Sequence, residues 1–156
     1  MVNIIEGSNE VIDLEIRINA RPETVFPYLT DPDRMVMWMG VSANLDPRPG
    51  GIYELNVNKD NHARGEYVEV TPYSRVVFTF GWEGEGGDVP PGSSRVEITL
   101  TPESDGTLLR LRHEGLSTDE SRKAHTQGWT HFVDRLAKVS AGIDPGPDPM
   151  ESGGGA

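Results

Sequence analysis

The chain has 156 residues, no cysteine and a formal net charge of −11 at pH 7. This length is typical of one domain with one core, and the negative charge argues against nucleic acid or anionic membrane as a partner, because both attract basic patches. Without cysteine, the chain offers neither a disulfide nor a thiolate.

No apolar stretch approaches the ~20 residues that a membrane-spanning helix needs. The opening residues MVNIIEGSNE also lack the basic segment and the long apolar run of a secretory signal. We therefore expect a soluble, cytoplasmic protein without a membrane span.

The first clear element is a strand over residues 11–20, where apolar and polar side chains alternate. Its apolar positions are Ile12, Leu14, Ile16 and Ile18. Two short helices are predicted to follow. The first, RPETVFPYLTD, carries Pro22 in its first turn, and the second, DPDRMVMWMG, begins at the cap Asp31 and closes at Gly40.

From Ser42 onward the pattern changes to that of about six consecutive strands, separated by turns such as NKDN, TPYS and ESDG. The strongest apolar stripe lies in RVVFTFGW, with Val76, Phe78, Phe80 and Trp82 on one face. In the last strand, TLLRLRHEG, His113 shares a face with Leu109 and Leu111. This histidine is therefore predicted to point toward the core.

A long helix is predicted from Thr118 to Gly142. At about 100° per residue, one stripe of this helix contains Ser121, His125, Gly128, Trp129, Phe132, Leu136 and Val139. His131 points away from the stripe, so it cannot share a metal or a proton with His125, and we expect it on the surface. His125 and His113 are expected at the same end of the space between helix and sheet. The alternative is that each histidine makes only a local hydrogen bond.

The order of elements predicts one α+β domain: a strand, two short helices, a six- to seven-stranded antiparallel sheet, and a long C-terminal helix. The long helix is the only element large enough to cover the apolar face of the sheet. We place the domain at residues 11–143, after an N-terminal extension of residues 1–10. Residues 144–156, rich in Gly and Pro, are predicted to form a disordered tail.

Motifs of catalysis are absent from the sequence. It contains no G-x-S-x-G elbow, no phosphate-binding loop and no dinucleotide fingerprint. His113, Glu114 and His125 do not match a usual zinc spacing, and Asp31, Asp33 and Arg34 are typical of helix capping and surface charge. We therefore predict no catalytic residue, no metal and no cofactor.

An apolar cleft with a few polar groups is the usual form of a small-molecule site. The candidate ligand-binding residues are Met35, Trp38, Tyr53, Phe78, Phe80, Trp82, His113, His125, Trp129 and Phe132. Tyr53, His113 and His125 would orient a ligand through hydrogen bonds, and a histidine there could also serve as a general base. An aromatic stripe is more often plain core, which is the alternative.

Four stretches resemble the START-like, helix-grip superfamily, and within it the family named for similarity to the activator of the heat-shock-protein-90 ATPase. They are INARPETVFPYLTDPDRMVMWMG, GEYVEVTPYSRVVFTFGW, VEITLTPESDGTLLRLRHEGL and HTQGWTHFVDRLAKV, which together span about residues 11–141. The resemblance implies a curved antiparallel sheet wrapped around a long C-terminal helix, with a cavity between them. Relatives include lipid and polyketide binders, aromatase/cyclases and a co-chaperone domain, and they share no catalytic motif that could be transferred.

Three functions remain open from the sequence. The first is a carrier or sensor of a small hydrophobic, lipid- or polyketide-like molecule. The second is a cyclase- or hydrolase-like enzyme that uses His113 or His125 for proton transfer. The third is an interaction module with a chaperone partner, which would expose an apolar patch near Met37 and Met39. A homodimer also remains open.

Overall fold

Eight strands form one antiparallel sheet in the order β1-β2-β8-β7-β6-β5-β4-β3. The structure is a computed structural model, and it describes residues 2–4, 11–84 and 89–148. The strands are β1 (Val2–Ile4), β2 (Val11–Ile18), β3 (Ser42–Leu45), β4 (Ile52–Asn56), β5 (His62–Thr71), β6 (Arg75–Phe80), β7 (Ser94–Glu103) and β8 (Gly106–Glu114). The helices are α1 (Pro22–Val25), α2 (Pro27–Thr30), α3 (Pro32–Met35) and α4 (Asp119–Ser140).

The predicted alternation sets the buried face of the sheet. In β2 the even-numbered residues from Ile12 to Ile18 are buried, and they pair in register with β8, where Leu14 lies opposite Leu111 and Ile12 lies opposite His113. The long helix α4 packs against this face, so the sheet and the helix share one core. This arrangement confirms the predicted α+β fold. The sheet has one strand more than the upper predicted number, because β1 pairs with β2.

Three short helices, rather than the two predicted, follow β2. The first predicted helix is divided at Pro27, which has no N–H to donate and whose ring disturbs the preceding turn. Each of the three helices has proline in its first turn, where the missing N–H costs nothing. The cap predicted at Asp31 is present: its carboxylate accepts a hydrogen bond from Asp33 N at 3.0 Å.

Helix α4 agrees closely with its predicted limits. Thr118 caps it by accepting a hydrogen bond from Ser121 N at 3.0 Å, and Gly142 follows its C-terminus with φ at +80°. Trp129, Phe132 and Leu136 are buried along the predicted stripe. No described helix is both long and apolar enough to span a membrane.

The chain turns back along α4 after residue 143, instead of leaving the domain at once as the predicted tail would. Arg135 donates hydrogen bonds to Pro145 O at 3.2 Å and Gly146 O at 2.9 Å. His131 Nε2 lies 2.9 Å from Asp148 Oδ1, so His131 is only half-exposed rather than a free surface residue. Residues 149–156 of the predicted tail lie outside the described residues. So do residues 1 and 5–10 of the predicted extension.

Candidate functional site

A cavity of about 310 Å³ lies between α4, the end of β6 and the turn that joins β4 to β5. It is lined by Met39, Val57, Asn58, Asn61, Phe80, Trp82, Ala124, His125, Gly128, Trp129 and Phe132. Asn61 and Ala124 are exposed, and Trp82 and His125 are half-buried, whereas Phe80, Trp129 and Phe132 are buried. The cavity therefore opens between the turn and the first half of α4 and has an aromatic floor.

Gly128 faces this cavity from the middle of α4. A Cβ atom built on Gly128 would meet no described atom within 4 Å outside its own helix backbone and its two chain neighbours. Glycine in a helix interior costs about 1 kcal/mol relative to alanine, so the missing side chain leaves space beside Trp129 at a cost in helix stability. No packing contact accounts for the glycine, and the open space beside it belongs to the cavity.

His113 lies under the cavity floor, where every polar group of its ring has a partner. Trp129 Nε1 donates to His113 Nδ1 at 3.0 Å. The Ser94 hydroxyl donates to Phe80 O at 2.7 Å, so its oxygen accepts the Nε2 proton of His113 at 2.8 Å. The hydrogen bonds therefore specify one neutral tautomer of His113, protonated at Nε2.

Burial lowers the pKa of His113 from 6.5 to about 3, with a smaller contribution from the nearby ring of His125. A second proton would have to sit on Nδ1, where it would face the indole N–H of Trp129. His113 is therefore a neutral core residue at physiological pH, and both of its nitrogens are engaged.

His125 is held in a second indole–imidazole pair at the edge of the cavity. Trp82 Nε1 donates to His125 Nε2 at 2.9 Å, and His125 Nδ1 lies 2.7 Å from Ser121 O, one helical turn earlier. Because the indole can only donate and the carbonyl can only accept, His125 carries its proton on Nδ1. The hydrogen bond between Trp82 and His125 also joins the end of the sheet to the start of α4.

Phe80 stands between the two indole–imidazole pairs. Its ring centroid lies 5.3 Å from those of both Trp82 and His113, and 5.8 Å from that of Trp129. The rings of His113 and His125 are themselves 5.5 Å apart at 88°. The two histidines thus lie close together as predicted, and each is hydrogen-bonded to residues distant in sequence rather than only to local ones.

Five of the ten predicted ligand-binding residues line the cavity: Phe80, Trp82, His125, Trp129 and Phe132. The other five are buried but do not line it: Met35, Trp38, Tyr53, Phe78 and His113. Trp38 donates its indole N–H to Tyr28 O at 2.9 Å. Tyr53 stacks on Phe78 with centroids 4.1 Å apart, and burial raises the pKa of its hydroxyl above the ordinary value.

Six wall residues were not among the candidates. They are Met39, Val57, Asn58, Asn61, Ala124 and Gly128. Val57 follows β4 and is buried like Tyr53 and Leu55, but Asn58 and Asn61 belong to the NKDN turn, where asparagine is ordinary turn chemistry. The interaction-module alternative placed Met39 on an exposed patch with Met37. Met37 is 47% exposed, whereas Met39 is 3% exposed, because the chain turns at Gly40 and directs Met39 inward.

A sheet wrapped around a C-terminal helix, with an apolar cavity between them, defines a START-like, helix-grip protein. The family described as "Activator of Hsp90 ATPase homolog 1-like protein" matches residues 19–141, and this chain belongs to it.

Solved structures of relatives agree with this family membership. An AHSA1-like protein from Rhizobium etli is 47% identical, with a TM-score of 0.72, covering 89% of this chain and 86% of the relative. CalU16 from Micromonospora echinospora is 31% identical, with a TM-score of 0.70, and the match covers 90% of this chain and 79% of CalU16. A protein from Chromobacterium violaceum is 25% identical, with a TM-score of 0.75, and the match covers 90% of this chain and 100% of the relative. No curated protein matches this chain significantly.

Proposed function

We propose that this protein binds a small hydrophobic molecule in the cavity between α4 and the sheet. The observation that carries the proposal is the open space beside Gly128, in a cavity of about 310 Å³ with aromatic walls. This volume lies at the lower end of the range typical of small-molecule sites. An apolar molecule would be removed from water there, which is favourable in proportion to the apolar area buried.

The hydrogen bonds of the two histidines favour binding over the cyclase- or hydrolase-like alternative. A general base needs a lone pair that can reach the substrate. The lone pair of His125 Nε2 accepts from Trp82, and the lone pair of His113 Nδ1 accepts from Trp129. An enzyme that used either imidazole would first have to break an indole–imidazole bond.

The three tryptophans provide a direct test of the binding proposal. Trp82 and Trp129 line the cavity, whereas Trp38 donates to Tyr28 O elsewhere in the core and serves as an internal control. Each indole N–H gives one NMR signal, which a tryptophan-to-phenylalanine variant can assign. We expect saturable shifts of the Trp82 and Trp129 signals on titration with naphthalene, a medium-chain alcohol or a planar polyphenol.

The Trp38 signal should stay in place during the same titrations. If no probe moved the Trp82 and Trp129 signals, or if the Trp38 signal moved equally, the binding proposal would be wrong.

A further inference from the structure

Among the described residues, the aromatic interior of the cavity offers a ligand almost no hydrogen-bonding group. Trp82 and Trp129 both donate to imidazoles, and His125 uses both ring nitrogens within the protein. A polar group on a ligand would lose its water there and gain no partner, which costs free energy. The part of the ligand that enters the interior must therefore be apolar.

The described part of the cavity wall also lacks formal charge. None of the described residues that line it is Lys, Arg, Asp or Glu. A charged ligand would lose hydration without gaining an ion pair, and the net charge of −11 would in addition repel an anion at long range. The wall therefore selects an uncharged molecule.

The turn between β4 and β5 supplies the polar part of the wall. Asn58 is buried, and its Oδ1 accepts three hydrogen bonds, from Asp60 N, Asn61 N and Asn61 Nδ2, at 2.9 to 3.0 Å. Asn58 therefore holds the turn in shape. Asn61 is exposed at the mouth, and its side-chain oxygen accepts no hydrogen bond from the described residues. Because Asn61 belongs to the cavity wall, this oxygen is the candidate acceptor for a ligand hydroxyl.

We propose that the cavity selects an uncharged aromatic molecule with a single hydroxyl group, which enters ring first and donates its hydroxyl proton to Asn61 at the mouth. The proposal rests on the binding function proposed above and adds the class and orientation of the ligand. Four aromatic side chains, Phe80, Trp82, Trp129 and Phe132, form the wall that contacts the ring system.

Three probes with one ring system test the proposal: naphthalene, naphthol and naphthoate, each titrated at pH 7 while the Trp82 and Trp129 indole signals are recorded. Naphthol should bind most tightly. Naphthoate, which is ionised at this pH, should bind at least about tenfold more weakly than naphthol, since an unpaired charge must be desolvated. Equal affinity for naphthol and naphthoate would overturn the proposal.

Variants in the turn locate the hydrogen bond. Asn61→Ala should weaken the binding of naphthol about two- to tenfold, which is the range of one ordinary hydrogen bond. The affinity for naphthalene should not change. Asn61→Ser, which keeps an acceptor, should restore part of the affinity for naphthol. Asp60→Ala, an exposed neighbour outside the wall, is the matched control and should bind all three probes like the wild type.

The outcomes separate this proposal from the binding function itself. The assignment of Asn61 would be wrong if Asn61→Ala bound naphthol like the wild type. It would also be wrong if the variant lost as much affinity for naphthalene as for naphthol. In either case the cavity would still bind aromatic molecules. If the wild type bound none of the three naphthyl probes but bound the medium-chain alcohol, this proposal would be wrong while the binding function stood. If it bound none of these probes and no polyphenol, both would fail.

Discussion

His113 shows how one residue connects the core to the pH dependence of stability. Folding moves its pKa from 6.5 to about 3, chiefly through burial. Below pH 6.5 the unfolded chain binds a proton at this position and the folded chain does not. The stabilising contribution is therefore complete above pH 6.5 and is lost progressively as the pH falls toward 3.

We expect this residue to lower the free energy of unfolding by about 2 kcal/mol between pH 7 and pH 5, at ~1.4 kcal/mol for each pH unit below 6.5. His113→Gln, whose amide oxygen can still accept from Trp129, removes the titration. Urea unfolding at both pH values should show a smaller loss of stability for the variant than for the wild type. Equal losses would contradict the account.

Gly128 is a second residue whose effect on stability can be measured. Its Cβ position is empty, so Gly128→Ala should raise the free energy of unfolding by up to about 1 kcal/mol through helix propensity alone. Gln127→Ala, the exposed neighbour, is the control and should change stability little. A destabilised Gly128→Ala, measured by urea unfolding, would mean that the space beside the helix is not open.

Residue-level geometry was only partly predictable from the sequence. The alternation in β8 and the helical stripe of α4 were enough to predict that His113 and His125 lie at one end of the core. The donor to each imidazole was not predictable, because it depends on where Trp82 and Trp129 come to lie relative to the rings. Asn61 was missed for a related reason: a turn asparagine carries no pattern that distinguishes a ligand contact from turn chemistry.

At the scale of elements, Arg135 joins α4 to two other segments: the chain just after α3, and the segment that returns along the helix after residue 143. This residue is 8% exposed and donates to Trp38 O at 3.2 Å, as well as to Pro145 O and Gly146 O in the returning segment. Bonds from a charged donor are stronger than neutral ones. Arg135 thus holds residues 144–148 against the helix and links α4 to the chain just after α3.

We expect Arg135→Met to lower the free energy of unfolding by about 2–4 kcal/mol, because three carbonyl groups lose a charged donor. Hydrogen exchange at the amides of Gly146 and Asp148 should also become faster. Lys138→Met is the control, since the Lys138 side chain forms an exposed ion pair with Asp134, and such pairs contribute little. Unchanged exchange in Arg135→Met would show that other contacts hold the segment.

The regular strands after β1 and the long helix were predicted correctly, whereas β1 and the division into three short helices were not. β2, β6, β8 and α4 each carry a clear apolar pattern and agree with the structure. The division of the first short helix at Pro27 is a local steric effect that helical spacing does not reveal. The return of residues 144–148 depends on Arg135 and His131, which composition alone cannot show.

For the whole molecule, the order of elements and the resemblance to a known family were sufficient to predict the sheet wrapped around α4. The extent of the cavity was not predictable, because it is the volume that remains after every core side chain has packed. Half of the predicted wall is packed core, which includes the stacked rings of Tyr53 and Phe78. The other half lines the space that remains.

The central claim is that this remaining space is an accessible binding site, and Gly128→Leu tests it most directly. The new side chain would occupy the cavity, while Gln127→Leu adds the same side chain on the exposed face of α4. Binding of naphthol is measured for both variants by the indole N–H signals, alongside thermal unfolding. The account predicts that Gly128→Leu folds with at least wild-type stability and loses binding, whereas Gln127→Leu binds normally. Normal binding in a folded Gly128→Leu protein would contradict it.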